Sequence, residues 1–190
     1  PRHPVLIDTF CFDRTEVTAR AFSACVDAGS CSRPAPDRGE SAKDRCTIGP
    51  PALEAHPANC VTFDQAATYC AFRGMRLPTE AEWEVAASRG AGGAVPWDDQ
   101  GPLPERANLE TKSTSPAGGL PRGSTKEGIA DLLGNVAEWQ ADWFAPYKSG
   151  EALSPKGPET GDKRVVRGGS WSSPATFSVA RREAFPPETR

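Results

Sequence analysis

Apolar positions come in short bursts along this chain, separated by long runs rich in glycine, proline and small polar residues. Val5-Leu6-Ile7-Asp8-Thr9-Phe10-Cys11-Phe12 is mostly apolar and predicts a strand over 5–12. Phe22, Cys25 and Val26 then fall on one helical face. Thr18 is placed to cap the first turn and Gly29 to close the last. A second helix is announced by Thr62-Phe63-Asp64-Gln65, a capping box in which the threonine hydroxyl and the glutamine amide satisfy each other's backbone N–H; Gly74 ends it. Thr79-Glu80-Ala81-Glu82 repeats the device for a third helix, with Trp83, Ala86 and Ala87 as its apolar face and Gly90 as its stop. The last third predicts short strands around 136–144, 164–171 and 177–184. Residues 30–60 and 91–128 carry little periodicity and read as loop. Strands and helices do not alternate and no internal repeat is present, so the pattern predicts an α+β, loop-rich fold with about three helices rather than a doubly wound parallel sheet.

Composition sharpens this picture. Eighteen glycines and 19 prolines agree with the loops, and 37% apolar with 25% charged residues suits a globular protein. A length of 190 residues fits a single domain, 1–190. The net charge of −3 is evenly mixed with no basic cluster, so no nucleic-acid partner is expected. No apolar run is long enough for a membrane span, and Pro1-Arg2-His3-Pro4 has no signal pattern. His3 and His56 are the only histidines, too few for a histidine-built metal centre. The six cysteines, Cys11, Cys25, Cys31, Cys46, Cys60 and Cys70, contain no CxxC pair, which removes zinc-ribbon and thioredoxin readings. All lie by residue 70. They predict disulfides and an extracytoplasmic protein, whether periplasmic, lipoprotein-tethered or secreted.

Three stretches together are distinctive: Gly74-Met75-Arg76-Leu77-Pro78-Thr79-Glu80-Ala81-Glu82-Trp83-Glu84; Gly134-Asn135-Val136-Ala137-Glu138-Trp139 running on to Asp142-Trp143-Phe144; and Arg164-Val165-Val166-Arg167-Gly168-Gly169-Ser170-Trp171. In this order they resemble the sulfatase-modifying-factor family, founded on the formylglycine-generating enzyme. Weaker matches at 10–18, 56–70, Pro96-Trp97, Ala107-Asn108-Leu109 and 155–158 extend the resemblance over nearly the whole chain. It implies a variant of the C-type-lectin fold, with Trp83, Trp139, Trp143 and Trp171 filling the core of a loop-rich domain.

The founder oxidises a sulfatase cysteine with dioxygen, using copper(I) held by two thiolates shortly after the Gly-Gly-Ser-aromatic motif. Here that segment has no cysteine: Ser173 matches the first ligand and Ser178 the second. A serine hydroxyl is a poor ligand for copper(I), so neither copper nor formylglycine generation is expected. Ser170 matches the family's active-site serine and can equally be a turn residue. With Trp171, Ser173 and Ser178 it defines the candidate cleft. A serine hydrolase is disfavoured because Ser170 lacks a G-x-S-x-G elbow.

The resemblance also implies a calcium ion bound by the carboxylates of Asp131 and Glu138 and the carbonyls of Gly134 and Val136, the mixed oxygen shell calcium prefers. A second, weaker calcium position maps to Asn108 and Leu109. Arg181 maps to a buried family arginine. The chain stops before the family's final Gly-Phe-Arg strand, where the founder's partner for the counterpart of Cys70 lies. Proximity favours Cys25–Cys31 and Cys46–Cys60, leaving Cys11 and Cys70 to pair with each other or stay free.

The expected function is a non-catalytic, calcium-stabilised binding or scaffold domain of an exported bacterial protein, taking a protein, peptide or small ligand. The alternatives are an enzyme with altered oxidative chemistry near Ser170 and Ser173, and a display protein diversified after Trp171.

Overall fold

The computed structural model describes residues 4–35, 46–88, 93–97 and 104–190. Among them, three helices and five short strands are joined by long irregular segments. Helix α1 (Ala19–Asp27) is capped by Thr18, whose Oγ1 accepts from the Ala21 N–H at 3.2 Å, and it buries Ala19, Phe22 and Cys25. Helix α2 (Phe63–Phe72) has the reciprocal Thr62–Gln65 box. Helix α3 (Glu80–Ser88) has the same box between Thr79 and Glu82, at 2.8 and 3.2 Å. The stop expected at Gly90 lies outside the described residues.

The strands are shorter than the apolar pattern predicted. Strand β1 keeps only Val5–Leu6, paired in parallel with β3 (Ala152–Leu153). Residues 7–13 run on without a ladder, because Phe12 packs into the core while Phe10 and Cys11 wall a cavity. The main sheet is antiparallel in the order β2-β4-β5, from β2 (Glu138–Trp143), β4 (Arg164–Arg167) and β5 (Glu183–Phe185). A register shift between Trp139 and Trp143 bends β2. The strand expected over 177–184 shrinks to 183–185: Phe177 and Val179 turn inward to pack on Trp83, and turns at 174–177 and 178–181 break the extended run.

Two apolar clusters hold these pieces. Trp83, Ala87, Trp97, Leu132, Leu133, Phe177 and Val179 form the larger. Phe22 and Tyr69 stack beside the Cys25–Cys31 disulfide in the smaller. A second disulfide, Cys46–Cys60, ties the ends of the long irregular loop, so both pairings favoured by proximity are present. Cys11 and Cys70 are free thiols. The tryptophans divide: Trp83 is fully buried, whereas Trp139, Trp143 and Trp171 are half-exposed. Arginine burial shifts by one position from expectation. Arg181 is exposed, and Arg182 turns in to grip Glu80 beside the wholly buried Arg167.

Candidate functional site

The second motif folds into a tight turn between the core and β2. Asp131, Gly134 and Asn135 all have positive φ (59°, 87° and 61°), a conformation that glycine adopts freely and that aspartate and asparagine tolerate better than other side chains. Gly134 is required, since a Cβ there would lie 2.5 Å from the Asn108 carbonyl oxygen. Asn135 is the hub and is 1% exposed. Its amide oxygen accepts from Asn108 Nδ2 (3.0 Å) and the Ser115 N–H (2.9 Å), and its Nδ2 donates to Glu16 Oε2 (2.8 Å) and the Ser115 carbonyl (3.2 Å). Its own carbonyl accepts from the Trp171 N–H at 2.8 Å. One asparagine therefore joins the turn, the 108–115 loop and the Gly-Gly-Ser-Trp segment.

Three acids meet at this turn. Asp131 accepts from the Gly118 N–H at 2.5 Å, and Glu138 accepts from the Trp83 indole N–H at 2.8 Å. Glu16 accepts from the Asn135 amide and the Val136 N–H. Burial, then the charges of Asp131 and Glu138, push the Glu16 carboxyl well above its ordinary value. Burial raises Asp131 too. Burial, aided by the Asp131 charge and opposed by the indole hydrogen bond, pushes Glu138 up to about 7. Among the described residues no lysine or arginine ion-pairs with any of the three.

The donor set is all oxygen, acidic and short of positive charge, which fits a hard cation. No three acidic, histidine or cysteine side chains among the described residues converge at ligand spacing, so such a cation would draw on main-chain carbonyls as well. Sequence reasoning singled out Asp131, Gly134, Val136 and Glu138, which the fold groups. It missed Glu16, which comes from more than a hundred residues upstream and reads locally as a polar residue before a helix cap. Asn108, by contrast, has its amide engaged with Thr111, Ser113 and Asn135, and Leu109 packs against the larger core.

The cleft lies beside the turn. It has a volume of about 450 Å³ and is walled by Val61, Trp139, Val166, Ser170, Trp171 and Phe185, with Cys60 at its edge. Ser170 and Ser173 lock a turn: the Ser170 N–H donates to Ser173 Oγ at 2.9 Å, and the Ser173 N–H donates to the Ser170 carbonyl at 2.9 Å. Ser170 Oγ also lies 3.1 Å from Ser172 Oγ. Ser173 and Ser178 are not among the cleft walls, so of the four candidates the fold brings only Ser170 and Trp171 to it. His56 hydrogen-bonds Thr114 through Nδ1 at 2.8 Å and supplies no base to Ser170.

With this arrangement in view, comparison with known proteins defines the class. The sulfatase-modifying factor enzyme 1-like domain matches residues 1–190, and the chain belongs to that family. It is 30% identical over 242 aligned positions to the formylglycine-generating enzyme of Streptomyces coelicolor, covering 100% of this chain and 77% of that protein. It is 40% identical over 127 positions to the serine/threonine-protein kinase Pkn1 of Chlamydia trachomatis, covering 65% of this chain but only 20% of the kinase. Among solved structures, PvdO from Pseudomonas aeruginosa superposes with a TM-score of 0.68 at 27% identity, over 93% of this chain and 74% of that one. The fold is therefore α+β of the formylglycine-generating-enzyme type.

Proposed function

We propose that this domain is a non-catalytic, calcium-stabilised binding module of an exported bacterial protein, holding a protein, peptide or small ligand in the Ser170–Trp171 cleft. The observation that carries the reading is the absence of cysteine behind the Gly-Gly-Ser-Trp motif. Copper(I) needs soft sulfur ligands, and Ser173, at the first thiolate position, offers a hard neutral oxygen already engaged in a turn. The cleft suits binding: indole and aliphatic walls are joined by the polar residues Asn59, Ser170 and Arg190. The likeness to part of a kinase supports a module that serves proteins of different activities. The two disulfides are consistent with an extracytoplasmic protein, and among the described residues no helix is long and apolar enough to cross a membrane.

Calcium would be held by Asp131, Glu138 and the Gly134 and Val136 carbonyls, with the Glu16 carboxylate close enough to feel the same charges but outside the ligand set. Its contribution is positive charge that offsets the repulsion among the acids and pins the 14–17 segment to the turn. The residues' own part is to hold that geometry: Asn135 fixes Glu16, and Trp83 fixes Glu138.

A second reading is an enzyme with altered oxidative chemistry in the cleft. It is favoured by Cys60, a non-glycine residue at φ 58° on the cleft edge, since backbone strain of this kind gathers at functional sites. The two are separated by incubating the protein with copper and a Cys-x-Pro-x-Arg peptide, then trapping aldehyde with an aminooxy probe. The binding-module reading expects no adduct. An adduct lost on Ser170→Ala would overturn it.

A further inference from the structure

Cys11 and Cys70, the two free cysteines, are far apart in sequence yet wall the same cavity. That cavity, about 430 Å³, shares Val136, Ala137 and Trp139 with the Ser170 cleft; the rings of Phe10, Phe12 and Tyr69 line part of it, and Asp13, Glu16 and Glu138 are charged residues among its walls. Its two cysteine-bearing walls differ in firmness. Cys70 sits in the last turn of α2, a helix fixed by its capping box and by buried Tyr69. Exposed Cys11 sits in the irregular 7–13 segment. Among the described residues, 9–13 make no backbone–backbone hydrogen bond. The strap is tethered at its ends instead: the Asp8 N–H donates to Ser154 Oγ at 3.1 Å, and the Arg14 carbonyl accepts from the Ala130 N–H at 2.8 Å. It also runs close to α2. After burial, the charge of Asp13 is the second cause that raises the Cys70 thiol.

We propose that Cys11 and Cys70 form a reversible third disulfide, which draws the 9–13 strap onto α2 and narrows the cavity between them. The oxidant is a small-molecule disulfide. The exposed Cys11 thiolate attacks one of its sulfurs, forming a mixed disulfide and releasing one thiolate. Cys70 loses its proton to solvent and attacks the Cys11 sulfur, closing the protein bond and expelling the second thiolate. Two protein thiols are oxidised and one external disulfide is reduced to two thiols, so protons and electrons balance. Because burial holds the Cys70 proton, the closing step accelerates with pH, about tenfold per unit below the thiol's pKa.

The test oxidises the native chain with oxidised glutathione and reads it three ways. Thiol titration is expected to fall from two free thiols to none, with peptide mapping giving a Cys11–Cys70 crosslink beside intact Cys25–Cys31 and Cys46–Cys60. The Tm is expected to rise by roughly 5–10 °C, as closing a long loop constrains the unfolded chain. Binding of an apolar fluorescent dye to the cavity is expected to drop severalfold on oxidation, and the drop is absent in Cys11→Ser, which changes only an exposed side chain. A glutathione adduct that persists on Cys11 beside a free Cys70, or a Cys11-linked dimer, would overturn the pairing. A crosslink that leaves dye binding unchanged would overturn the narrowing of the cavity.

Discussion

Glu80 and Glu138 sit in opposite surroundings, each linked to Trp83 through one partner or bond. Glu80 accepts from Arg167 at 2.6 Å, from Arg182 at 2.6 and 2.7 Å, and from the Tyr147 hydroxyl at 3.0 Å. Arg167 also reaches Glu84 at 2.9 Å and lies 5.0 Å from the Trp83 ring centre. Glu138, by contrast, accepts the Trp83 indole N–H and shares its surroundings with Glu16 and Asp131, and among the described residues no lysine or arginine ion-pairs with the three. The chain neutralises its first buried cluster from its own sequence. The second cluster has no such partner among the described residues, and its carboxyls hold their protons more tightly than usual. The acid turn carries two non-glycine residues with positive φ, Asp131 and Asn135, whereas Glu80 and Arg167 of the arginine network sit on a helix and a strand. Charge neutralised by the chain's own arginines stabilises the fold, whereas clustered acids without such partners raise one another's pKa and make the turn the place to test for a bound cation.

The sharpest way to break this contrast is to disturb each cluster and compare signs. Arg167→Met leaves Glu80 with less of its compensation in a fully buried setting. A loss of about 3–5 kcal/mol is expected, a fall in Tm of roughly 10–15 °C by scanning calorimetry. Asn135→Ala removes the hub and its buried partners' hydrogen bonds, and about 2–3 kcal/mol should be lost in urea denaturation.

Glu138→Gln should act the other way without calcium, raising Tm by a few degrees at pH 7.5, because it removes a carboxylate whose ionised form is disfavoured. The sign follows from the raised pKa. The folded carboxyl titrates near 7 against an ordinary 4.5, so the fold holds its proton more tightly than the unfolded chain does. Calcium-free protein should therefore lose stability as pH rises from about 4.5 to about 7, and parent and variant should converge at lower pH. Trp171→Ala should change stability least, by about 1 kcal/mol, since the ring is only half-buried. It should nonetheless abolish ligand capture by the cleft in a binding assay.

Much of this was legible in the chain. Thr18, Thr62 and Thr79 announce all three helices because capping is local chemistry, satisfied within four residues. Cys25–Cys31 and Cys46–Cys60 followed from proximity for a similar reason. What was hidden depends on distance. Glu16 meets Asn135 and Val136 only through the fold, and nothing in Thr15-Glu16-Val17-Thr18 signals it. The Glu80–Arg167–Arg182 network was hidden too, because Glu80 reads as an ordinary first-turn acid and the register that turns Arg182 rather than Arg181 inward is set by a three-residue strand. The mostly apolar run 5–12 promised a strand, but Phe10, Cys11 and Phe12 line a cavity and find no ladder partner.

The most direct test of the account is a calorimetric titration of calcium into chelator-treated protein at pH 7.5, with Glu138→Gln alongside. One saturable site with proton release is expected in the parent, together with a Tm rise of about 5–10 °C at roughly a hundredfold excess over Kd, both lost in the variant. No binding heat and no Tm shift in the parent would contradict it.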